Sequence, residues 1–284
     1  MRVPGSQRLS THGPPVAGAA VTPANFARGL SPDRLALVLA PCGGTGWFGG
    51  VELVCVDPAL DDDAAILAEA ASILETVMRS QEPVVAAVLL PYEGAARVRI
   101  YRGGYLRTPH GWRSWGEVDA AEIAPPPPIT DSSTPLLNSP AFDMDEVAYT
   151  DGIRAVQESI TAGDVYVLNL TLRVSGTPSL QPLDAFERLV GSSAGPMSAL
   201  WVDGERSVVS VSPERFVEIS GDPGAQTAEV WPIKGTRPRG ADPESDAKRA
   251  AELAGDEKER AEHLMIVDLE RNDLGRVCVP GSIA

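Results

Sequence analysis

Two clusters decide how this chain is read: Trp231-Pro232-Ile233-Lys234-Gly235-Thr236-Arg237-Pro238-Arg239-Gly240, and, further on, Glu259-Arg260-Ala261-Glu262-His263-Leu264-Met265-Ile266-Val267-Asp268. In the first, a lysine closes an apolar run (Val230, Trp231, Ile233) and is followed at once by Gly-Thr, so an amine is held where a strand gives way to a turn. A reactive lysine is presented in this way, and a solvated loop charge in an acidic protein has the same local sequence. In the second, Glu259 and Glu262 stand three apart in a segment of helical character, and positions i and i+3 are neighbours on one helix face. Such a pair can hold a hard divalent cation. It can equally be the wet face of an amphipathic helix, with Lys258 and Glu262 paired at i, i+4.

The order of the whole stretch goes further than either cluster. Pro232 to Gly240, followed by Lys258 to Leu269 and by Arg271-Asn272-Asp273-Leu274-Gly275-Arg276, resembles the chorismate-utilising enzymes. Within them it is most similar to the branch of aminodeoxychorismate synthase component I, the large subunit of para-aminobenzoate synthase. Tyr166-Val167-Leu168-Asn169-Leu170-Thr171 and Ser212-Pro213-Glu214-Arg215-Phe216 look like two further signatures of that family, in the right order. Together these motifs cover residues 143 to 284 well and the first part of the chain loosely.

The resemblance implies an α+β fold, a layered α/β sandwich like that of anthranilate synthase component I with largely antiparallel sheets. It also implies that the fold is incomplete in this chain, because the family's catalytic core continues past Ala284. The implied reaction is amination of chorismate to 4-amino-4-deoxychorismate, for para-aminobenzoate and folate synthesis, with ammonia from a glutamine amidotransferase partner. Anthranilate synthase component I is the alternative within the family. An inactive chorismate-binding fragment is the alternative outside enzymes.

Chorismate carries two carboxylates and a poor leaving group, the hydroxyl on C4. Its amination needs a counter-charge, an acid and a nucleophile. Mg2+ suits the first role, since it takes one or two carboxylates plus substrate oxygens and water. By resemblance Glu262 is its ligand, with Glu259 behind it and a direct role for Glu259 left open. Lys234 resembles a covalent nucleophile that attacks C2, at a place where anthranilate- and isochorismate-forming relatives commonly have alanine. A fixed positive charge for a substrate carboxylate is its other possible role. Glu214 matches the general acid, and Gly235 and Thr236 match substrate-binding positions. Val167 stands where water-activating relatives keep a lysine and many amine-forming ones a glutamine, which argues against hydration to isochorismate.

Composition sets the class of partner. The chain has 284 residues, 43% of them hydrophobic, which suffices for a real core. A formal charge of -15 with no basic block argues against nucleic acid and anionic membranes, since phosphate binding needs clustered Lys and Arg. The substrate should be a small molecule. Cys42, Cys55 and Cys278 are far apart, without Cys-x-x-Cys spacing, and read as thiols of a reducing cytosol. Met1 to Ala20 has no apolar core of signal-peptide length and no run spans a bilayer, so the expectation is a cytoplasmic protein.

Taken in order, residues 1–123 read as an α+β region. Leu35 to Ala40 and Val51 to Val56 are expected strands, joined by Gly44-Thr45-Gly46-Trp47-Phe48-Gly49. That glycine run matches a dinucleotide fingerprint only formally, because a strand follows it where a helix is required. Asp61 to Met78 has helical periodicity. Val84 to Leu90 and Ala96 to Tyr101 read as strands, with Gly103-Gly104 as a hairpin turn into Tyr105 to Thr108. Residues 124–142, with Pro125 to Pro128, read as an extended linker. Residues 143–284 then read as the N-terminal portion of a chorismate-binding catalytic domain. Its expected helices are Asp143 to Gly163, Pro182 to Val190, Pro243 to Ala254 and Glu257 to Glu270. Its expected strands are Asp164 to Val174, Ala199 to Val202, Ser207 to Ser210 and Phe216 to Ile219. Asp242 and Asp256 stand in N-cap positions. In the last helix, Ala261, Leu264, Val267 and Leu269 suggest the buried side, with Glu259, Glu262 and Ile266 along another.

Overall fold

The structure is a computed structural model that describes residues 37–39, 48–56, 63–78, 85–91, 96–108, 111–116, 133–192, 195, 197–203, 206–221 and 224–284. Residues 40–47 and 117–132, with most of the glycine-rich connection and the proline run, lie outside them. Strands and helices alternate in an α+β arrangement, and every described strand pair is antiparallel.

The main sheet is built from β1 (Leu37–Leu39), β2 (Phe48–Val56), β3 (Val85–Leu89), β4 (Arg97–Thr108), β5 (Gly111–Gly116), β8 (Met197–Asp203) and β9 (Arg206–Ser212). Their order is β3-β4-β2-β1-β8-β9, with β5 also on β4. Strand β1 pairs with β8 in the register Leu37 to Trp201, so the sheet runs across the expected linker at 124–142. The end of that linker is itself a strand, β6 (Leu137–Phe142), paired with β7 (Val174–Pro178).

Helix α1 (Asp63–Met78) lies on β4: Ile66 and Ala70 pack with Ala96, Val98 and Ile100, with Ile73 beside them. A second cluster forms where Phe186 of α3 (Pro182–Ser192) meets Leu200 of β8, flanked by Leu183, Val190, Val202 and Val209. Burying a Phe or Leu side chain stabilises by about 1.5–3 kcal/mol, so α3 fastens the β8–β9 hairpin. Arg99 joins the two regions, donating from Nη1 to the Val202 carbonyl at 2.5 Å and stacking on Trp201.

Helix α2 (Glu146–Ala162) starts at Asp145, whose Oδ1 accepts from Ala148 N at 2.8 Å, and ends at Gly163 with φ of 81°. Next to it the sequence expectation fails. Asp164 to Arg173, with the Tyr166–Thr171 signature, carries no ladder, and β7 begins only at Val174. The segment is laid against α2 instead: a β-carbon on Gly152 would come within 2.9 Å of Leu170 Cδ2, and Arg173 N donates to Asp143 Oδ1 at 3.0 Å. Leu170 packs on the helix, whereas Tyr166, Leu168 and Leu172 are exposed, so the segment is held without strand pairing.

The expected hairpin at Gly103-Gly104 is also corrected. Strand β4 runs through both glycines, which pair with Val51 and Gly50 of β2 on one side and with Gly116 and Trp115 of β5 on the other. The β2–β4 register shifts beside them, between Val51 and Glu52. Glycines inside a strand mark such an irregularity as readily as a turn.

Two helices close the chain: α4 (Pro243–Gly255) and α5 (Glu257–Gly275). Asp242 caps α4 in a capping box with Ser245, and Asp256 ends α4 while capping α5. Before them, β10 (Glu218–Ser220) and β11 (Thr227–Glu229) form a small hairpin. The segment after α5, from Val279, is not a strand.

Candidate active site

Helix α5 departs from the apolar-side expectation at Ala261, Leu264 and Leu269, although Val267 is partly covered as expected. Leu264 and Leu269 are 69% and 56% exposed, whereas Glu259, Glu262, His263, Ile266, Glu270 and Leu274 are partly covered. A helix that turns carboxylates toward its own protein must find counter-charges there, since desolvated charge is costly unless paired. For Glu259 that counter-charge is Arg237, on the segment that leads from Trp231 to Gly240.

Glu214 and Lys234 are brought together by the β10–β11 hairpin. Glu214 follows Pro213 at the end of β9, where its backbone N–H and carbonyl both bond the Ser212 hydroxyl, at 3.4 and 3.1 Å. Its Oε1 accepts from Ile233 N at 3.1 Å, so the carboxylate is tied to the residue preceding Lys234. Arg215 adds a second fastening, with its guanidinium over the Trp231 ring at 4.0 Å. It also pairs with Glu218 and, at 3.4 Å, with Glu229, residues that face each other across the hairpin.

Lys234 opens onto a cleft of about 740 Å3 lined also by Leu253, Glu259, His263, Leu264 and Val267. Gly235, next in the chain, has φ of 79° and lies against α4 and α5. A β-carbon there would stand 3.1 Å from both Glu259 Oε2 and Leu253 Cδ1. Close approach to Glu259 therefore requires glycine here, beside the substrate-binding role that the resemblance implies. Thr236 is exposed and, like Glu214 and Glu262, is not among the residues lining the cleft.

The two candidate metal carboxylates differ in their surroundings. Glu259, with a side chain 17% exposed, accepts at Oε1 from Arg237 Nη1 at 3.1 Å. Glu262, one turn on and partly covered, has no hydrogen-bond or ion-pair partner among the described residues. Glu262 thus fits a cation's requirement for a free carboxylate better than Glu259 does. No group of three or more His, Cys, Asp or Glu side chains among the described residues is placed to hold a metal, so the fit is that of a single ligand.

Sequence reasoning missed His263 and Glu270. Nδ1 of His263 and Oε2 of Glu270 are buried without a hydrogen-bond partner among the described residues. Burial, and then the charge of Glu214, push the Glu270 carboxyl above the usual carboxylate range, against the opposing charges of His263 and Lys234. Glu270 therefore belongs to the same electrostatic cluster as Glu214 and Lys234. The available signal was periodicity: extending the row Glu259, Glu262, Ile266 by one more turn arrives at Glu270.

A family model for chorismate binding enzymes matches residues 81–284, and the chain belongs to that family. Among similar proteins, anthranilate synthase component 1 1 of Haloarcula marismortui is 32% identical over 255 residues, which is 86% of this chain and 50% of the relative. Aminodeoxychorismate synthase component 1 of Klebsiella aerogenes is 38% identical over 176 residues, 62% of this chain and 36% of the relative. Its Escherichia coli counterpart is 42% identical over 141 residues, 50% of this chain and 30% of the relative. The chain spans half or less of the length of these relatives. A Bacillus anthracis crystal structure described as a 2,3-dihydroxybenzoate-specific isochorismate synthase aligns with 87% of this chain and 61% of its own, at TM-score 0.52 and 19% identity. That likeness is one of fold. No helix among the described residues is long and apolar enough to cross a membrane.

Proposed function

We propose that this chain works as an aminodeoxychorismate synthase component I, converting chorismate and ammonia to 4-amino-4-deoxychorismate. The observation that carries the reading is Lys234: an amine without a hydrogen-bond or ion-pair partner among the described residues, on the wall of a cleft, one residue from the N–H that holds Glu214. Its nitrogen bonds to C2 of chorismate, the ring double bonds shift, and the C4 hydroxyl leaves as water with the proton of Glu214. Ammonia then bonds to C4 and loses a proton, the double bonds return, and the C2–nitrogen bond breaks to free the lysine. When bound through Glu262, Mg2+ would supply the counter-charge for a substrate carboxylate. A glutamine amidotransferase as the ammonia source, and a cytoplasmic location, belong to this reading.

Anthranilate synthase component I is the second reading, favoured by the large share of this chain that the Haloarcula relative covers. The test uses the longest polypeptide the reading frame encodes, given chorismate and Mg2+ without ammonia, and measures intact mass. A chorismate-derived adduct on Lys234 is expected, and adding ammonia should release 4-amino-4-deoxychorismate. Lys234→Ala and Lys234→Arg should both lose adduct and product, since a guanidinium is always protonated and cannot attack carbon. Glu262→Gln should raise the Mg2+ requirement more than Glu259→Gln. An active Lys234→Arg enzyme without adduct would leave only the electrostatic role, and anthranilate as product would select the second reading.

A further inference from the structure

The strap from Lys234 to Gly240 is fastened to α4 and α5 almost entirely by arginines. Arg239 forks onto Asp246 at 2.7 and 2.6 Å, and Gly240 N donates to the same carboxylate at 2.8 Å. Arg249 donates back to the carbonyls of Pro238 and Arg239 at 3.0 and 3.1 Å. Those bonds hold the far end of the strap. The end next to Lys234 depends on Arg237, whose Nη2 meets Asp256 Oδ2 at 2.6 Å and whose Nη1 meets Glu259 Oε1 at 3.1 Å. Nη1 also donates to the carbonyl of Thr236 at 2.8 Å, which stiffens the turn behind the lysine.

Asp256 and Glu259 are themselves bonded, Glu259 N donating to Asp256 Oδ1 at 3.1 Å as the N-cap of α5. One guanidinium therefore spans the cap of α5 and the carboxylate that lines the cleft. We propose that Arg237 is a positioning residue for Lys234: by forking across Asp256 and Glu259 it sets the register of the strap against α5, and Glu259 serves it as counter-ion. The consequence for the site is geometric. Lys234 stands on the strap and Glu262 on α5, so the distance between amine and candidate cation ligand is set by the Arg237 fork. A lysine cannot replace it, because a point charge on a flexible stem does not bridge two carboxylates in a fixed plane. The importance of this register for turnover rests on the amination reading, whereas the register itself does not.

The test has two arms. On the present chain, hydrogen exchange of residues 234–240 and the rate at which an amine-reactive sulfonate labels Lys234 relative to Lys248 are compared for wild type, Arg237→Leu, Arg237→Lys, Glu259→Gln and Arg154→Leu. Arg154 has an exposed ion pair with Asp151 on α2 and serves as control. Arg237→Leu should speed strap exchange about tenfold, as expected for losing a charge-assisted hydrogen bond. Glu259→Gln should speed it in the same residues, Arg237→Lys should not restore it, and relative labelling of Lys234 should change in parallel. In the longest polypeptide of the reading frame, with chorismate, ammonia and Mg2+, Arg237→Leu should lower kcat by about 100-fold, the scale of a small misplacement of a reacting group, with KM little changed.

Should Arg237→Leu speed exchange throughout the chain, Glu259→Gln decides, because it keeps side-chain volume and removes one charge. Strap exchange unchanged in Glu259→Gln overturns the proposal, as does full rescue by Arg237→Lys. Altered strap exchange alongside a wild type that never aminates chorismate leaves the register standing and removes the amination reading. Amination that Arg237→Leu does not impair removes the positioning role and leaves the reading.

Discussion

Replacing Gly235 by alanine separates two demands that this position meets. The first is conformational: at φ of 79° an L-residue pays about 1–2 kcal/mol for the left-handed region. The second is steric. The added β-carbon would lie 3.1 Å from Leu253 Cδ1, 3.1 Å from Glu259 Oε2 and 3.2 Å from Glu259 Cβ, so these side chains must give by a few tenths of an ångström. Overpacking costs about 1–3 kcal/mol, and side-chain neighbours that can shift place this case near 1 kcal/mol. Gly163→Ala is the internal reference, since its φ of 81° imposes the same backbone cost with nothing within 4 Å of the new carbon. The gain from a stiffer unfolded chain is common to both substitutions and cancels in the difference. Urea denaturation followed by far-UV circular dichroism should show Gly235→Ala less stable than Gly163→Ala by about 1 kcal/mol. In the Leu253→Ala background, which makes room, that gap should shrink, a coupling that a double-mutant cycle reads directly. A Gly235→Ala variant as stable as Gly163→Ala would refute the close approach of strap and helix.

Two further outcomes depend on pH. Glu270 has its carboxyl raised by burial and by Glu214, so it favours the fold below its unfolded value, and that contribution is lost as pH rises through the raised one. Glu270→Gln should therefore raise Tm at neutral pH and do little at about pH 4; a Gln variant less stable at neutral pH would contradict the assignment. Asp246 is held down to about 2 by the Arg239 fork and then by Gly240 N–H. Its stabilisation is present above the unfolded value of about 3.9 and disappears as pH falls through the folded one. The stability difference between wild type and Asp246→Asn should be flat above about pH 5 and shrink in stronger acid, and a difference independent of pH would mean that the fork is not formed.

Local signals in the sequence were legible wherever a single residue type answers a single backbone demand. Asp242 and Asp256 cap helices because free N–H groups at helix starts need a short acceptor, and Gly163 ends α2 because φ is positive there. The order of Glu214, Lys234 and Glu262 was legible as motif. Failures arose where one pattern has two physical uses. Gly103-Gly104 reads as a turn, yet the same lack of side chains admits an irregularity between two neighbouring strands. Tyr166 to Thr171 has the apolar character of a strand, but Leu170 spends it on Gly152 of α2. Helix α5 turns much of its expected apolar side outward because periodicity weighs apolarity alone, and here the partly covered residues include Glu259, Glu262, His263 and Glu270 beside Ile266 and Leu274, with the counter-charge of Glu259 coming from Arg237 in distant sequence.

That inversion also explains how the site is held. Neither α4 nor α5 has a fully buried residue, so the burial that secures α1 on β4 and Phe186 on Leu200 does little to fix Lys234 relative to Glu262. The task falls to oriented, charge-assisted bonds: Arg215 between Trp231 and the β10–β11 hairpin, Arg237 across Asp256 and Glu259, and Arg239 on Asp246. Hydrophobic contact is non-directional and tolerates sliding, whereas a guanidinium fork loses most of its energy when its carboxylates shift. On the amination reading, a site that places an amine, an acid and a cation ligand around one small dianion gains more from direction than from depth of burial. Arg215, Arg237 and Arg239 thus stand between elements that would otherwise have little reason to keep their register.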